Sequence, residues 1–317
     1  MTAMPLIYLR LPNWLGDVCM SLPVLEAFLA RNYRVVVCAR PWAQALLSGY
    51  ALEGFIPITG KWLHDAIAIK HYKKNHQSNA TEVMALSLPD SFSSALVFKW
   101  AGIKAAGYKD DGRSWLLKWP IHKPKDTLHA VESWYYLAYQ ASQIWQNAIA
   151  SKAPRSLHLA GVATADPATF ALDTSKKNIL IAPTAVGLHK GQVKVWPHYE
   201  ALTQQLKKQY YNVYMCPPPS EISDAEQNAP SAIRLAPLSL VDFAQLCKSV
   251  DLVICNDSGV SHLAAAVNAA QITLIGVTDA SYTGPWSDQA ECLGKNGAWP
   301  CLHTVIERIN ERINERS

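Results

Sequence analysis

Charged and polar side chains follow short apolar runs at several points of this sequence, each time near a glycine. Asp17 stands in LRLPNWLGDVCMSLP (9–23), where we predict that a strand ends at Arg10 and a helix begins near Gly16. Gly16 lets a ligand approach the backbone closely, and ligands of open α/β sheets bind at the carboxyl ends of strands. A carboxylate at this position either caps the helix or takes a proton as a general base. The spacing alone favours capping.

A second segment, IAPTAVGLHKGQVKVWPHYEAL (181–202), combines a hydroxyl and two lysines with a predicted helix start at Trp196. Thr184 follows the apolar run, and Lys190 and Lys194 lie in the loop. Hydroxyl and ammonium donors beside a helix N-terminus can hold a phosphate group. The GxxxxGK[ST] spacing of a P-loop is missing from it. A solvated loop with ordinary lysines is the alternative interpretation.

The third segment, ICNDSGVSHLAAAVNAA (254–270), runs from an apolar strand through Asp257, Ser258 and Gly259 into an alanine-rich helix. The backbone N–H groups and the positive dipole end of such a helix start favour a pyrophosphate. Simple N-capping by Ser258 or Asp257 is the alternative. His262, one turn into the helix, belongs to this site or is a packing residue.

Two further segments carry weaker signals. TLIGVTDASYTGPW (273–286) is another strand end with a polar loop. The basic stretch KWLHDAIAIKHYKKNHQ (61–77) is either a solvated loop or helix face, or an electropositive rim for a phosphorylated or carboxylated acceptor. The sequence has no GxGxxG fingerprint, nucleophile elbow or zinc-ligand cluster.

All these segments need strands that end at one edge of a sheet, and strand–helix alternation runs through both halves of the chain. Apolar, β-branched runs predict buried strands over 5–10, 34–39, 82–88, 178–183, 211–216, 251–256 and 271–277. Helical patterns lie between them, over 23–31, 42–48, 90–100, 197–209, 239–248 and 259–268. The alternation predicts two parallel-sheet α/β domains. We place them at 1–160 and 161–317, because residues 150–177 lack a clear period. The amphipathic C-terminus predicts a helix that packs Val305, Ile309 and Ile313 against its own chain.

Composition narrows the class of protein. Half of the 317 residues are hydrophobic and 17% are charged, which suits two globular domains. The formal charge of +4 does not indicate nucleic acid, and we expect none as a partner. Seven cysteines without a CxxC pair predict reduced, buried thiols. The N-terminus lacks a signal-peptide pattern and no window suits a membrane helix, so we expect a cytoplasmic protein.

Four motifs, in this order, resemble the ADP-heptose-dependent lipopolysaccharide heptosyltransferases of glycosyltransferase family 9. PNWLGDVCMSLPVLEAF resembles the N-terminal signature of that family, KVWPHYEAL its K-x-W-P element, and NDSGVSHLAAAVN its donor-site signature. LPDSFSSALVFKWAGIKAAGY (88–108) resembles heptosyltransferase II, whereas GVTDASYTGPW is more similar to heptosyltransferase I. The resemblance implies a GT-B architecture, with two Rossmann-like, doubly wound domains facing a central cleft. The acceptor would bind to the N-terminal domain and ADP-heptose to the C-terminal domain.

The resemblance also implies roles for single residues, and it reverses the interpretations above for Asp17, Lys194 and Asp257. Asp17 matches the base that deprotonates the acceptor hydroxyl, and Lys194 matches the lysine that neutralises the donor phosphates. Donor contacts are expected from Thr184, Glu221, Asp257, Ser258, Gly259 and His262, and acceptor contacts from Asn13, Gly16 and Ser91. The implied reaction is inverting and uses no metal and no cofactor, with ADP-heptose as the donor substrate.

We therefore predict transfer of heptose to the lipopolysaccharide inner core (Kdo/heptose–lipid A), with the second-heptose step favoured, at the cytoplasmic surface of the inner membrane. The alternatives are first-heptose transfer to Kdo–lipid A, heptosylation of a protein, a sugar-nucleotide epimerase, and an inactive sugar-nucleotide-binding protein. Asp17 and Lys194 together argue against an inactive protein. An epimerase is expected to have more acidic catalytic residues.

Overall fold

The computed structural model of the protein describes residues 4–76, 82–189 and 191–315. The chain divides into two compact units, Met1–Pro154 and Arg155–Ser317. This division lies six residues before the boundary predicted between 160 and 161. The intervening residues pair with the second unit: Leu157 N–H donates to Trp286 O (3.1 Å), and Leu159 N–H donates to Ala266 O (2.8 Å).

The first domain contains a parallel six-stranded sheet. Its strands are β1 (Leu6–Arg10), β2 (Arg34–Ala39), β3 (Gly54–Pro57), β4 (Val83–Ser87), β5 (Lys104–Tyr108) and β6 (Trp119–Ile121). Its helices are α1 (Leu15–Ala30), α2 (Ala43–Leu46), α3 (Trp62–His76), α4 (Phe92–Trp100) and α5 (Ala130–Ile144). The strands lie in the order β3-β2-β1-β4-β5-β6, and every neighbouring pair is parallel.

The second domain repeats this arrangement. Its strands are β7 (Asn178–Ala182), β8 (Leu188–His189), β9 (Gln192–Val193), β10 (Asn212–Met215), β11 (Ile233–Arg234), β12 (Leu252–Asn256), β13 (Gln271–Ile275) and β14 (Ala290–Gly294). Its helices are α6 (Tyr199–Lys208), α7 (Ile222–Asn228), α8 (Leu240–Ser249), α9 (Gly259–Ala266), α10 (Ala280–Thr283) and α11 (Leu302–Asn314). The parallel sheet has the order β11-β10-β7-β12-β13-β14, and β8 and β9 form a separate antiparallel hairpin.

Both sheets follow the doubly wound order of a Rossmann fold, in which the chain runs outward from the first strand and then returns to its other side. The central strands β1, β12 and β13 are buried along their whole length. Such strands are apolar on both faces because helices cover a parallel sheet from both sides. The order reverses between β1 and β4 and between β7 and β12, where the carboxyl ends of neighbouring strands open a crevice for ligands.

The structure confirms the seven strands predicted from the sequence, and it moves the start of the first helix. The first helix begins at Leu15, not at Pro23, and Pro23 lies inside it. Residues 62–76 of the basic stretch form α3, and residue 77 lies outside the described residues. The C-terminal helix buries Val305, Ile309 and Ile313 in the core of the second domain, as predicted. Across the described residues, the helices are too short or too polar to cross a membrane.

Candidate functional site

The predicted site residues lie at the carboxyl ends of the two sheets. We call residues 11–17 and 88–91, which follow β1 and β4, the first-sheet edge. Residues 183–189, 191–196, 216–221 and 257–262, which follow β7, β10 and β12, form the second-sheet edge. Each edge is described within its own domain.

The second-sheet edge is organised by Asn256, the last residue of β12, which is fully buried. Its amide nitrogen donates to Ala182 O and Thr184 O, both at 3.2 Å. Its amide oxygen accepts from the backbone N–H of Trp196 at 2.9 Å. One side chain therefore fixes both ends of the loop between β7 and α6. Asn256 is not among the residues predicted from the sequence, although a polar residue at the end of an apolar strand was a usable signal.

Lys194 follows the β8–β9 hairpin and lies two residues before the anchored Trp196. The Trp196 ring is buried, and its Nε1–H donates to Pro300 O at 2.9 Å. The Lys194 side chain is half-buried, and its ammonium group has no hydrogen bond or ion pair with the residues described. An ammonium group on such a fixed backbone is suited to an anionic ligand. Lys190, the other lysine of this loop, lies outside the described residues.

Thr184 and Glu221 meet at the same edge, as expected for residues after neighbouring strands. The Thr184 hydroxyl donates to the Glu221 carboxylate, and both residues are half-buried. Glu221 ends a short 3-10 helix (Pro219–Glu221), so its position is set by the loop after β10. A carboxylate held in this way can accept hydrogen bonds from sugar hydroxyl groups.

The start of α9 brings together the remaining predicted donor residues. Ser258 is the N-cap residue, and its hydroxyl accepts from the N–H of Val260 at 3.4 Å. Gly259 is the first helical residue. His262 Nε2 lies 3.9 Å from Asp257 Oδ1, and both side chains are buried. The capping alternative for Ser258 is thus confirmed. A capped helix start still presents its positive dipole end to an anion.

The first-sheet edge is built around a buried cation. The Arg10 guanidinium donates to Asn13 Oδ1 at 2.7 Å and to Cys38 O at 3.4 Å, and it also bonds Leu11 O. Burial lowers the pKa of Arg10 below its usual range. Asn13 itself is exposed, so the buried arginine supports an exposed amide at the start of the loop.

Asp17 is the third residue of α1, half-buried in the first turn. The N-cap position is occupied by Trp14, whose side chain makes no capping hydrogen bond. Asp17 is therefore not the N-cap residue, although its charge lies favourably at the positive end of the helix dipole. Gly16, just before it, is buried. Burial, followed by the charge of Asp17, raises the pKa of the Cys19 thiol to about 12, so this cysteine stays neutral.

Ser91, the predicted acceptor contact after β4, is the N-cap of α4. Its hydroxyl accepts from the N–H of Ser94 at 3.4 Å. The loop before it is held by Arg113, which is fully buried and donates to Pro89 O (2.7 Å), Ser91 O (3.2 Å) and Tyr108 O (2.6 Å). The sequence analysis missed Arg113, because nothing near it in sequence shows that it reaches back to residues 89–91.

The described residues contain no group of three or more His, Cys, Asp or Glu side chains that could hold a metal ion. Several cysteines are deeply buried, and burial raises the pKa of Cys255 to about 12 and that of Cys292 to about 11. Cys255 is fully buried and Cys292 is half-buried, and both thiols stay protonated at neutral pH.

Two Rossmann-like domains, with a helix start and a lysine loop suited to an anion in the second, are typical of glycosyltransferases of the GT-B type. The sequence profile of glycosyltransferase family 9 (heptosyltransferase) matches residues 76–309, and the chain belongs to this family. It is therefore a glycosyltransferase, as predicted.

Individual relatives agree with this assignment. The lipooligosaccharide heptosyltransferase 2 of Haemophilus influenzae is 30% identical, over 88% of this chain and 85% of the relative. The structure of Escherichia coli ADP-heptose lps heptosyltransferase II matches with a TM-score of 0.76 at 23% identity, over 100% of this chain and 99% of the other. Escherichia coli heptosyltransferase WaaC with ADP-2-deoxy-2-fluoro heptose matches with a TM-score of 0.71 at 18% identity, over 96% and 99%. The predicted fold class, two Rossmann-like domains of the GT-B type, is confirmed.

Proposed function

We propose that this enzyme transfers heptose from ADP-heptose to a lipopolysaccharide inner core that already bears one heptose. The observation that carries the proposal is the second-sheet edge, where Asn256 fixes the lysine loop next to the start of α9. The substrates are proposed from similarity in sequence to heptosyltransferase 2 of Haemophilus influenzae and in fold to heptosyltransferase II of Escherichia coli.

In the proposed reaction, an acceptor hydroxyl oxygen attacks the anomeric carbon of heptose from the face opposite to the ADP. Asp17 takes the hydroxyl proton as the new C–O bond forms. The bond between the anomeric carbon and the phosphate oxygen breaks, and ADP leaves with the electron pair. A single displacement of this kind inverts the anomeric configuration.

The leaving ADP needs positive charge where negative charge develops. Lys194 supplies an ammonium group, and the start of α9 at Ser258 and Gly259 supplies N–H dipoles. Together they take the role that a divalent cation has in other transferases. Thr184 and Glu221 hold the ribose end of the donor, with Asp257 and His262 shaping the turn beside the phosphates.

On the acceptor side, Asn13, Gly16 and Ser91 line the first-sheet edge around Asp17. An acceptor of this kind is anchored in a bilayer through lipid A, so we propose that the enzyme works at the cytoplasmic face of the inner membrane. The first domain, 1–160 in the sequence-based division, would then bind the acceptor, and the second would bind the donor.

The test offers purified enzyme and ADP-heptose two acceptors, Kdo–lipid A with and without the first heptose, and follows the products by mass spectrometry. We expect efficient transfer only to the heptosylated acceptor. Transfer restricted to the unheptosylated acceptor would assign the enzyme to the first step, the assignment that the resemblance of GVTDASYTGPW to heptosyltransferase I favours.

A further inference from the structure

Large apolar side chains are exposed together on one part of the first domain. The set lies on α3, on α4 and in the turn after β5, and every member is at least about a third exposed: Trp62, Leu63, Ile67, Phe92, Trp100 and Trp115. We call this set the α3–α4 surface. Single exposed apolar residues are ordinary, but a contiguous group of them marks an interaction surface.

Ring contacts join four members of the group in two pairs. Trp62 of α3 packs edge-on against Trp100 of α4, with ring centroids 5.8 Å apart. Phe92 packs against Trp115 at 6.0 Å. Phe92 and Trp100 are eight residues apart on α4, about 12 Å along the helix axis, and both are exposed. Ser93 and Lys99 are exposed beside them, so α4 presents two aromatic rings next to polar side chains.

The charge along α3 and α4 is almost entirely positive, whereas the segment that carries Trp115 also contains Asp110 and Asp111. Asp110 pairs with Lys123 at 2.8 Å, and Asp111 is exposed. Residues 61–76 and 92–104 contain six lysines, at 61, 70, 73, 74, 99 and 104, and one acidic residue. That acid, Asp65, is buried and accepts hydrogen bonds from Thr59 N (2.8 Å) and Gly60 N (3.0 Å). It therefore does not offset the lysines at the surface.

The C-terminal helix α11 shows how this surface differs from the rest of the protein. Its apolar residues all contact the core of the second domain, and its basic residues are bound by acids or, for Arg312, by the Gln289 carbonyl. Arg308, for example, donates to both carboxylate oxygens of Glu291 at 2.7 and 2.8 Å and bonds Glu311 as well. The lysines of α3 and α4 form no ion pair with the residues described, although Lys73 donates to Gly102 O at 2.7 Å.

We propose that the α3–α4 surface binds the surface of an anionic lipid bilayer. Tryptophan rings favour the headgroup level of a bilayer, and lysines beside them pair with lipid phosphates while their stems cover apolar area. Protein interfaces also favour tryptophan, but their cores are depleted in lysine. The mixture therefore favours lipid over a protein partner. That this bilayer is the one that carries the acceptor rests on the proposed function; the lipid binding does not.

Vesicle co-sedimentation tests the proposal. The full-length protein is mixed with vesicles of phosphatidylcholine alone, or of equal parts phosphatidylcholine and phosphatidylglycerol. We expect binding to the anionic vesicles that weakens as salt is added. Trp100→Ser/Trp115→Ser should weaken it about tenfold or more, because these rings are 59% and 66% exposed and lose apolar area that the bilayer covers. Lys70→Gln/Lys74→Gln should weaken it by a similar factor on anionic vesicles only.

Matched controls remove an aromatic ring or two lysine charges from the second domain. Tyr210→Asn removes an aromatic ring that is 78% exposed in the second domain, at a positive φ that asparagine tolerates. Lys176→Gln/Lys208→Gln removes the same charge from exposed positions in that domain. Both controls should bind vesicles like the wild type, and all variants should keep its melting temperature.

Two outcomes overturn the proposal. In the first, the surface variants bind anionic vesicles as well as the wild type does. In the second, the protein does not bind lipid but self-associates, and Trp100→Ser/Trp115→Ser abolishes the self-association. A transfer assay with a water-soluble, deacylated acceptor separates this proposal from the proposed function. The aromatic double variant should retain full transfer there and lose it only with acceptor in vesicles. An enzyme that binds vesicles but transfers no heptose would contradict the proposed function and would still support lipid binding by the α3–α4 surface.

Discussion

The first-sheet and second-sheet edges belong to sheets with the same strand order, but they present groups of opposite charge. At the first, the buried cation Arg10 supports an exposed amide, and the carboxylate of Asp17 lies half-buried in a helix start. At the second, the neutral amide of Asn256 ties the loops together, and the groups left for a ligand are an ammonium and a helix N-terminus. Identical strand order thus carries a carboxylate at the edge of one sheet, and an ammonium group and a helix N-terminus at the edge of the other.

We expect the largest effect when the Asp17 carboxylate of the first-sheet edge is neutralised. Asp17→Asn should reduce turnover about a hundredfold or more, the usual scale for the loss of general-base catalysis. Steady-state transfer rates measure it. Asp111→Asn is the matched control in the same domain, because Asp111 is exposed and has a positive φ that asparagine tolerates. If Asp17→Asn turned over normally, Asp17 would only stabilise the helix start.

Removing the ammonium group tests the second edge. Lys194→Ala should weaken ADP-heptose binding and slow transfer, each by about tenfold, because a charge-assisted hydrogen bond to phosphate is worth roughly 1.5–3 kcal/mol. Lys208→Ala, at an exposed position at the end of α6, should have no effect. A chelator should leave wild-type activity unchanged. A strict requirement for added magnesium would contradict the role given to Lys194.

The hydrogen bonds of Asn256 at the second-sheet edge should matter for the stability of the protein as well as for donor binding. Asn256→Ala leaves two buried carbonyls and the Trp196 N–H without their partner, which should cost about 2–3 kcal/mol and lower Tm by roughly 5–10 °C. Donor affinity should fall several-fold because the Lys194 loop loses its anchor.

Asn310→Ala, which removes one hydrogen bond to the Tyr211 hydroxyl, is the control for the second domain. Asn310→Ala should change neither Tm nor donor affinity appreciably. An Asn256→Ala enzyme with a lower Tm but unaltered donor affinity would make Asn256 a purely structural residue.

The smallest effect is expected at the exposed amide of the first edge. Asn13→Ala should raise the acceptor KM about threefold and leave donor affinity unchanged, because water replaces an exposed hydrogen bond at little cost. Asn147→Ala is a close control, since Asn147 also accepts from an arginine, Arg31, in the same domain (3.2 Å). A change in donor affinity alone would remove Asn13 from the acceptor side.

Much of this fold could be predicted from the sequence, because buried parallel strands are continuous apolar runs. RVVVCA matches β2 residue for residue, and DLVICN differs from β12 only at Asp251. The first helix was harder, since proline usually marks a helix start. Burial of Val18, Leu22 and Leu25 holds α1 together across Pro23 despite the lost hydrogen bond. The helix α5 was missed, because its aromatic-rich AVESWYYLAYQASQI has no capping signal of the usual serine or aspartate type.

The site was only partly predictable, because chain order places some of its residues and long-range contacts place the others. Asp257 and Thr184 lie one and two residues after strands, and Glu221 lies in the loop after β10, so chain order predicts that they share an edge. The Thr184–Glu221 hydrogen bond agrees. Asn256 is marked in the sequence as a polar residue at the end of an apolar strand, but its partners, like those of Arg113, lie far away in sequence. Their roles follow only from the folded geometry.

We propose that the second-sheet edge binds the donor and that the first-sheet edge activates the acceptor. Calorimetric titration of ADP-heptose into the wild type, Asp17→Asn and Lys194→Ala separates these two roles. We expect a donor Kd within about twofold of the wild-type value for Asp17→Asn, and a Kd raised about tenfold for Lys194→Ala. Donor binding lost as strongly in Asp17→Asn as in Lys194→Ala would contradict this division of roles.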